Sequence, residues 1–293
     1  MKTNKNKSIF TFLIVLIFTS VVFTSCNNDD ASVESDSVEQ SLENVLIQTE
    51  INDVNDALDE ILEGIAVDFM GSVAFKNELS KATEVQNFLP NCVVVTEETT
   101  NEGKTITLDF GDGCTTRNDH ILSGKIIINI TIDLIEETIN IQRVFDNFYF
   151  DDKKIEGEVG KFKIKINENG NPEAAIVRNI TITWEDGLFV KVNSETTREW
   201  IAGFGNRLRD DNVFLITGTS TVINKDGEVI TTTIIEPLRR EATCKYLVSG
   251  IVEIEKADKK ITLNYGDGTC DDLAVITIDG QEHEIHLENR RNP

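Results

Sequence analysis

The stretch KIIINITID, residues 125–133, places isoleucine at every second position from Ile126 to Ile132. A period of two is typical of a β-strand with one apolar face. The same alternation recurs at Phe162, Ile164 and Ile166, between lysines, and again at Ile180, Ile182 and Trp184, between threonines. These segments predict an antiparallel sheet with one polar face.

Turn-forming groups separate the alternating segments, for example Asn167-Glu-Asn-Gly170 and Asn224-Lys-Asp-Gly227. A small or polar residue followed by glycine also recurs near the start of several strands, at Gly124, Gly157, Gly218 and Gly250. The successive spacings are 33, 61 and 32 residues, close to one, two and one units of a repeat. We therefore expect residues 92–293 to form an antiparallel β meander of about a dozen strands in quasi-repeating hairpins. The pattern leaves open whether the meander is open, sandwiched or closed.

A short helical region, residues 42–91, precedes the meander. Ile51, Val54 and Leu58 follow the spacing of three and four that marks one face of a helix, which we extend to Ile65. Acidic and amide side chains occupy the other face. A second helix is predicted over residues 67–85, and the overall fold class is mostly β.

Four cysteines, Cys92, Cys114, Cys244 and Cys270, predict a disulfide framework. Local pairing of Cys92 with Cys114 and of Cys244 with Cys270 encloses one hairpin each. If the paired cysteines face each other across a ladder, the turns are centred on Gly103 and Ala257. In the second hairpin a register shifted by one, with a bulge in Gly266–Thr269, gives the better apolar match and sets Leu263 opposite Val252.

In the first hairpin the simple register sets Leu108 opposite Glu98. Each hairpin also ends on a similar phrase, ITLDFGDGC at 106–114 and ITLNYGDGTC at 261–270. We interpret its Gly-Asp-Gly core as turn chemistry. A calcium site at Asp112 and Asp267 is the alternative, although neither copy has the ligand spacing of an EF-hand.

The N-terminus has the three regions of a secretory signal peptide over residues 1–25: lysines, an apolar run and a small-residue ending. The phrase Phe23-Thr-Ser-Cys26 resembles a bacterial lipobox, with Phe23 where the family has Leu. The resemblance implies that Cys26 is lipidated and that the membrane is a partner through this anchor. An ordinary signal peptide with an incidental cysteine is the alternative. Residues 26–41 are acidic and poor in apolar side chains, which predicts a disordered tether.

The chain is strongly acidic. Cleavage before Cys26 removes three lysines and no acidic residue from a net charge of −23, leaving −26. Such a field repels nucleic acid, so we expect no nucleic-acid partner. The negative charge does not exclude cationic ligands or divalent ions as partners.

Catalytic motifs give no positive signal. His283 and His286 are three residues apart, which on a strand directs them to opposite faces and argues against a zinc site. Nucleophile-elbow, P-loop and dinucleotide fingerprints are missing from the sequence, and no cofactor is expected. The segment 198–206 has the weakest strand pattern, so Arg198, Trp200 and Phe204 are predicted to form a recognition loop.

Together, the lipobox-like start, the acidic tether and the phrase ending at Cys270 resemble envelope lipoproteins of Gram-negative, Bacteroidota-type bacteria. The resemblance implies an all-β body attached to the outer membrane, on its surface or periplasmic face. It supplies no catalytic residues, because the family carries no assigned activity. The leading hypothesis is a non-enzymatic binding or structural lipoprotein, with a glycan or another envelope protein as partner. The alternative is a glycan-processing surface enzyme.

Overall fold

The alternating segments form one antiparallel sheet. The structure, a computed structural model, describes residues 45, 47–59, 89–99, 103–116, 119–133, 135, 138–204 and 210–287. The predicted signal peptide, the tether with Cys26 and the second helix lie outside these residues. Within them the sheet has fourteen strands, each hydrogen-bonded to its neighbour along the chain, except that β2 and β3 both pair with β4. The predicted β meander is therefore confirmed.

The strand bounds are β1 Val94–Thr99, β2 Lys104–Asp109, β3 Cys114–Thr115, β4 Ile121–Asp133, β5 Thr138–Phe150, β6 Lys153–Ile166, β7 Pro172–Thr183, β8 Phe189–Ala202, β9 Val213–Asn224, β10 Val229–Glu241, β11 Ser249–Lys256, β12 Lys259–Asp267, β13 Leu273–Ile278 and β14 Gln281–His286.

One helix, α1, is described at residues 45 and 47–59. Its predicted apolar face is correct as far as Asp59, because Ile51, Val54 and Leu58 are at most 1% exposed and join the inward side chains of the sheet in a single core. Each such side chain contributes roughly 1.5–3 kcal/mol on full burial. None of the helices in the described ranges is long and apolar enough to cross a membrane.

The sheet curves around α1. Arg143 on β5 and Arg240 on β10 both bind carboxylates of this helix. Five strand spacings separate β5 from β10, which in a flat sheet amounts to about 24 Å. The two helical carboxylates, Asp59 and Asp56, lie only about 4.5 Å apart along the helix axis. Both contacts are therefore possible only because the strands bend toward the helix.

The repeated glycines contribute this curvature. Gly124, Gly157, Gly218 and Gly250 all have positive φ, and each lies at or next to a register shift between neighbouring strands. At Gly124 an added Cβ would come within 1.9 Å of the carbonyl oxygen of Asn147 on β5. Bulges at such close approaches bend a strand and increase its twist. The repeat noticed in the sequence thus marks where the sheet bends.

Both disulfides form as predicted, with Cα–Cα distances of 5.7 Å for Cys92–Cys114 and 5.6 Å for Cys244–Cys270. The prediction that the paired cysteines face each other across the hairpin ladders is wrong. Cys92 precedes β1, and Cys114 lies on β3, where it faces Leu122 of β4. Cys244 and Cys270 likewise lie outside the strands that they connect. The first bridge joins the turn before β1 to β3, and the second joins the β10–β11 connection to the β12–β13 connection.

Of the two predicted hairpin registers, the second is correct and the first is wrong. In the second hairpin Leu263 faces Val252 and the turn follows Lys256, as predicted. Its bulge lies between Asn264 and Asp267, slightly earlier than expected but including Gly266. In the first hairpin Leu108 faces Val95, not Glu98. That prediction failed because it assumed that the cysteines face each other across the β1–β2 ladder.

Candidate functional site

A group of charged side chains lies between α1 and the inner face of the sheet. We call it the arginine–carboxylate cluster: Asp56 and Asp59 from α1, with Arg143, Arg178, Arg198 and Arg240 from β5, β7, β8 and β10. The side chain of Arg143 is completely buried and that of Asp59 is 6% exposed. Charged groups are rarely buried to this degree unless they are paired.

Asp59 is the centre of the cluster. Its Oδ1 accepts a hydrogen bond from Arg143 Nη2 at 3.2 Å, and its Oδ2 accepts one from Arg178 Nη2. Arg198 Nη1 lies 3.5 Å from the same Oδ2. Both carboxylate oxygens therefore face guanidinium groups, and three strands that are not all adjacent meet at one side chain.

Asp56 connects the cluster to the second disulfide. Its Oδ2 lies 3.0 Å from Arg240 Nε, and its Oδ1 lies 3.6 Å from Arg198 Nη1. Arg240 Nη1 also donates hydrogen bonds to the backbone carbonyls of Glu241, at 2.6 Å, and of Cys244. Arg240 thus joins the helix to the loop that the Cys244–Cys270 bridge closes.

Further contacts of the arginines fix their orientation. Arg143 Nη1 donates to the carbonyl of Leu58 at 2.5 Å, and Arg178 Nη1 donates to Thr196 Oγ1 at 3.0 Å. The guanidinium of Arg198 lies 4.0 Å from the ring centroid of Phe214, within cation–π range.

Asp59 and Arg143 both stay charged at neutral pH. Burial by itself would raise the pKa of Asp59, but the positive charges of Arg178, Arg198 and Arg143 outweigh it and hold that pKa below its ordinary value. Burial lowers the pKa of Arg143 to about 9, which still leaves it protonated at pH 7. These two opposite charges therefore lie together where there is little access to water.

A cavity of about 70 Å³ lies beside the cluster, between α1 and strands β7 to β12. Asp56, Asp59, Arg178 and Arg198 line it, and much of the remaining lining is hydroxyl or amide side chains, including Gln48, Asn52, Asn55, Ser194, Thr196, Ser220, Thr232 and Tyr265. Within the described ranges, several buried polar atoms of lining residues have no hydrogen-bond partner, among them Asn55 Oδ1, Arg178 Nε, Ser194 Oγ and Ser220 Oγ. Drug-sized ligands occupy pockets of roughly 300–1,000 Å³, so this cavity is suited only to water or a small ion.

Further polar contacts hold the N-terminal part of α1. Thr232 Oγ1 donates to Gln48 Oε1 at 3.0 Å, and Trp184 Nε1 donates to Glu50 Oε2 at 2.9 Å. Asn52 Nδ2 lies 3.3 Å from the hydroxyl of Tyr265, whose pKa is raised by burial. The helix is therefore bonded to the sheet along its described length.

The predicted recognition loop is not a loop over most of its length. Strand β8 continues to Ala202, and Arg198 and Trp200 are 8% and 6% exposed, on the inner face. Trp200 packs against Phe204 and Phe214, with centroid distances of 5.2 Å to each. Phe204 is 41% exposed, and a recognition role for it stays a prediction. Arg198 belongs instead to the arginine–carboxylate cluster.

The aspartates of the repeated phrase lie within a turn, in the case of Asp112, or at the strand end next to one, in the case of Asp109 and Asp267. Asp267 Oδ1 accepts hydrogen bonds from the backbone N–H of Thr269 at 3.1 Å and from its hydroxyl at 2.8 Å, and Asp109 Oδ1 accepts one from the N–H of Gly111 at 3.0 Å. These contacts agree with turn chemistry. Asp112 is exposed within the first turn. The part of the chain that the structure describes contains no group of three or more His, Cys, Asp or Glu placed to hold a metal ion.

The cluster was not predicted from the sequence, although a signal for it is present there. Arg178 follows Ile176 and precedes Ile180 on the apolar phase of β7, and Arg143 follows Ile139 and Ile141 in the same way on β5. An arginine in the apolar phase of a strand implies a buried partner. The acidic positions Asp56 and Asp59 of α1 are the partners that this signal required.

Comparison of the chain with protein-family models, with curated proteins and with solved structures finds no significant match.

Proposed function

We propose that the protein is a lipid-anchored lipoprotein of the cell envelope, attached to the outer membrane, with a non-enzymatic binding or structural role. The observation that best supports an envelope location is the pairing of Cys92 with Cys114 and of Cys244 with Cys270. Structural disulfides persist in oxidising compartments and are rare in reducing ones. With these four cysteines paired, Cys26 is the one cysteine of the chain left for lipidation.

The N-terminal sequence supports the anchor independently. Lysines, an apolar run and a small-residue ending precede Cys26, and an acidic stretch of low apolar content follows it. A tether of this kind would hold the disulfide-linked sheet away from the lipid surface. The strongly negative charge would then keep the body from binding anionic headgroups.

The described carboxyl groups support binding over catalysis. Glycoside hydrolysis needs one carboxylic acid that stays protonated near neutral pH, which requires a raised pKa. Six carboxyl groups in the described residues have a pKa that departs from its ordinary value, and all six are lowered: Asp59, Asp109, Asp151, Glu199, Glu228 and Asp267. A lowered pKa suits ion pairs and turns and is unfavourable for a general acid.

The anchor is tested by replacing Cys26 with Ser in the native host. The wild-type protein is expected in the membrane fraction, released by detergent but not by high salt, and labelled by a radioactive or alkyne fatty acid. Cys26→Ser is expected to lose the label and become soluble. Asn27→Ser, which leaves the cysteine in place, serves as the control. Retention of Cys26→Ser in the membrane fraction would refute the lipid anchor.

The absence of turnover is tested on a panel of envelope and host glycans with the purified full-length protein. Retention of a glycan without product, or no interaction with any glycan, agrees with a binding or structural role. Release of a shortened glycan that scales with protein concentration would instead identify a glycan-processing enzyme.

A further inference from the structure

One side of helix α1 is bonded to β10 and β12. Three polar side chains, spaced four residues apart and therefore on the same side of the helix, make these contacts: Gln48, Asn52 and Asp56. Thr232 Oγ1 of β10 donates to Gln48 Oε1 at 3.0 Å. Asn52 Nδ2 lies 3.3 Å from the hydroxyl of Tyr265 on β12. The strands on either side of β11 therefore hold this side of the helix together.

The third contact, through Arg240, also reaches the second disulfide. Arg240 Nε lies 3.0 Å from Asp56 Oδ2, and Arg240 Nη1 donates to the backbone carbonyls of Cys244 and of Glu241, the latter at 2.6 Å. Arg240 is buried, so these acceptors take the place of the water that would otherwise solvate its charge. A movement of the Cys244 carbonyl therefore changes how Arg240 holds the helix.

The Cys244–Cys270 bridge fixes the two strands relative to each other where they end. Cys244 follows β10 and Cys270 follows β12, so the bridge connects the ends of both strands that contact this side of α1. Tyr265 lies near the end of β12, before the exposed Cys270. A closed bridge therefore keeps the Arg240 and Tyr265 contacts in one arrangement.

The two cysteines of this bridge differ in exposure, because Cys244 is buried and Cys270 is exposed. Thiol–disulfide exchange begins when a thiolate attacks an accessible sulfur. A dithiol would therefore attack Cys270 Sγ and displace Cys244 as a thiolate, which takes up a proton. The second thiol of the reagent then displaces Cys270 from the mixed disulfide. Two electrons and two protons pass from the dithiol to the bridge, which becomes two thiols while the dithiol becomes a disulfide.

We propose that the Cys244–Cys270 bridge is a redox-sensitive switch for α1, in which reduction by a dithiol loosens the helix from β10 and β12 through Arg240. Once the bridge is open, the connection after β10 relaxes and its Cys244 carbonyl no longer orients Arg240. The pairing of Arg240 with Asp56 then loses its fixed geometry. Loosening of the helix uncovers the apolar side chains that it buries: Ile51, Val54 and Leu58.

The first bridge provides a matched control. Cys114 faces Leu122 near the start of β4, whereas Cys244 and Cys270 follow the ends of β10 and β12. Every step along the meander is antiparallel, so β4, β10 and β12 run in the same direction and the two bridges lie at opposite ends of the strands. The paired cysteines are 22 and 26 residues apart, so opening either bridge restores a similar chain entropy to the unfolded state.

The switch is tested by hydrogen–deuterium exchange of the purified protein at pH 7. A protein with Cys92→Ser and Cys114→Ser retains only the second bridge and is measured oxidised and after reduction with dithiothreitol. We expect the amides of residues 51–59 to exchange at least about tenfold faster after reduction, the effect of losing one hydrogen bond to a charged group. Amides of β7 and β8 should keep their rates. In the protein with Cys244→Ser and Cys270→Ser, these helical amides should exchange fast before and after reduction.

Two further variants test the path through Arg240, both in the protein that retains only the second bridge. Arg240→Gln should already show fast exchange in α1 when oxidised, and reduction should then add little. Arg239→Gln lies on the opposite face of β10 and should keep the full response to reduction. If Arg240→Gln does not fold, Asp56→Asn removes the same ion pair from the side of the helix.

Any of three results would overturn the switch. The first is unchanged exchange of α1 after reduction of the second bridge. The second is an equal rise in exchange throughout the sheet, or an equal rise in α1 when only the first bridge is removed, since either result would show general destabilisation. The third is a full response to reduction in the variant that lacks the Arg240–Asp56 pair. The first two are decided without any change in the arginine–carboxylate cluster, and none of them depends on the lipid anchor.

Discussion

Replacement of Asp59 by Asn should destabilise the protein more than any surface substitution. The amide keeps the shape of the side chain but removes the charge that faces three guanidinium groups, one of them fully buried. Hydrogen bonds to charged groups contribute about 1.5–3 kcal/mol each, and Asp59 accepts two well-formed ones. Removing one partner of a buried ion pair costs about 3–5 kcal/mol. We therefore expect a loss of about 3–5 kcal/mol in the free energy of unfolding.

The measurement is urea unfolding of the oxidised protein at pH 7, followed by far-UV circular dichroism. Asp226→Asn, an exposed turn position between β9 and β10, is the control and should change stability by less than about 0.5 kcal/mol. If Asp59→Asn has no larger effect than Asp226→Asn, the cluster does not hold the helix and our account of the site is wrong.

Comparison of the wild type with Asp59→Asn over a range of pH also tests the electrostatic explanation. The folded-state pKa of Asp59 lies below its unfolded value, so the ionised carboxylate stabilises the fold fully above the unfolded pKa of about 3.9. This contribution disappears as the pH falls through the folded pKa, because the wild-type side chain then becomes neutral as well. The stability difference between wild type and Asp59→Asn should therefore shrink below pH 4. A difference that stays constant down to pH 2 would contradict the ion-pair explanation.

Two further substitutions test the scaffold. Gly124→Ala should destabilise the fold by more than about 3 kcal/mol, because the new Cβ would overlap the carbonyl of Asn147. The control is Gly170→Ala, which also has positive φ but has nothing within 4 Å, and it should cost only about 1–2 kcal/mol. Equal melting temperatures for the two variants would refute the role of the bulge. Joint replacement of Cys244 and Cys270 by Ser should cost about 3 kcal/mol of unfolding free energy in the chain-entropy model, measured against wild type by urea unfolding. An unchanged midpoint would show that the bridge adds nothing to stability.

The strands were predictable because their signal is local. A period of two identifies a strand from a few residues, and a turn between two apolar segments sets a register, as it did for Val252 and Leu263. The first hairpin shows the limit of this reasoning. A disulfide fixes which two cysteines are close but not which strand each belongs to, and Cys114 pairs with β4 across a break that the Gly-Asp-Gly turn introduces.

The charge cluster was harder to predict because it depends on curvature. Alternation shows that Arg143 and Arg178 point inward, but the carboxylate that each meets depends on how far the sheet bends between them. That bend arises at the glycine bulges, whose effect accumulates over several strands. Local patterns could therefore have indicated the arginines and the carboxylates, but not their pairing.

The position of α1 has a consequence for the order of folding. The hairpins join segments that are close along the chain, so they can form one after another as the polypeptide emerges. The helix comes before all of them, yet Asn52 meets Tyr265, 213 residues later, near the C-terminal end of the sheet. The helix therefore precedes every strand along the chain, but its contacts with the sheet are completed last. Deletion of the final strands would therefore expose side chains of α1, although α1 lies at the opposite end of the sequence.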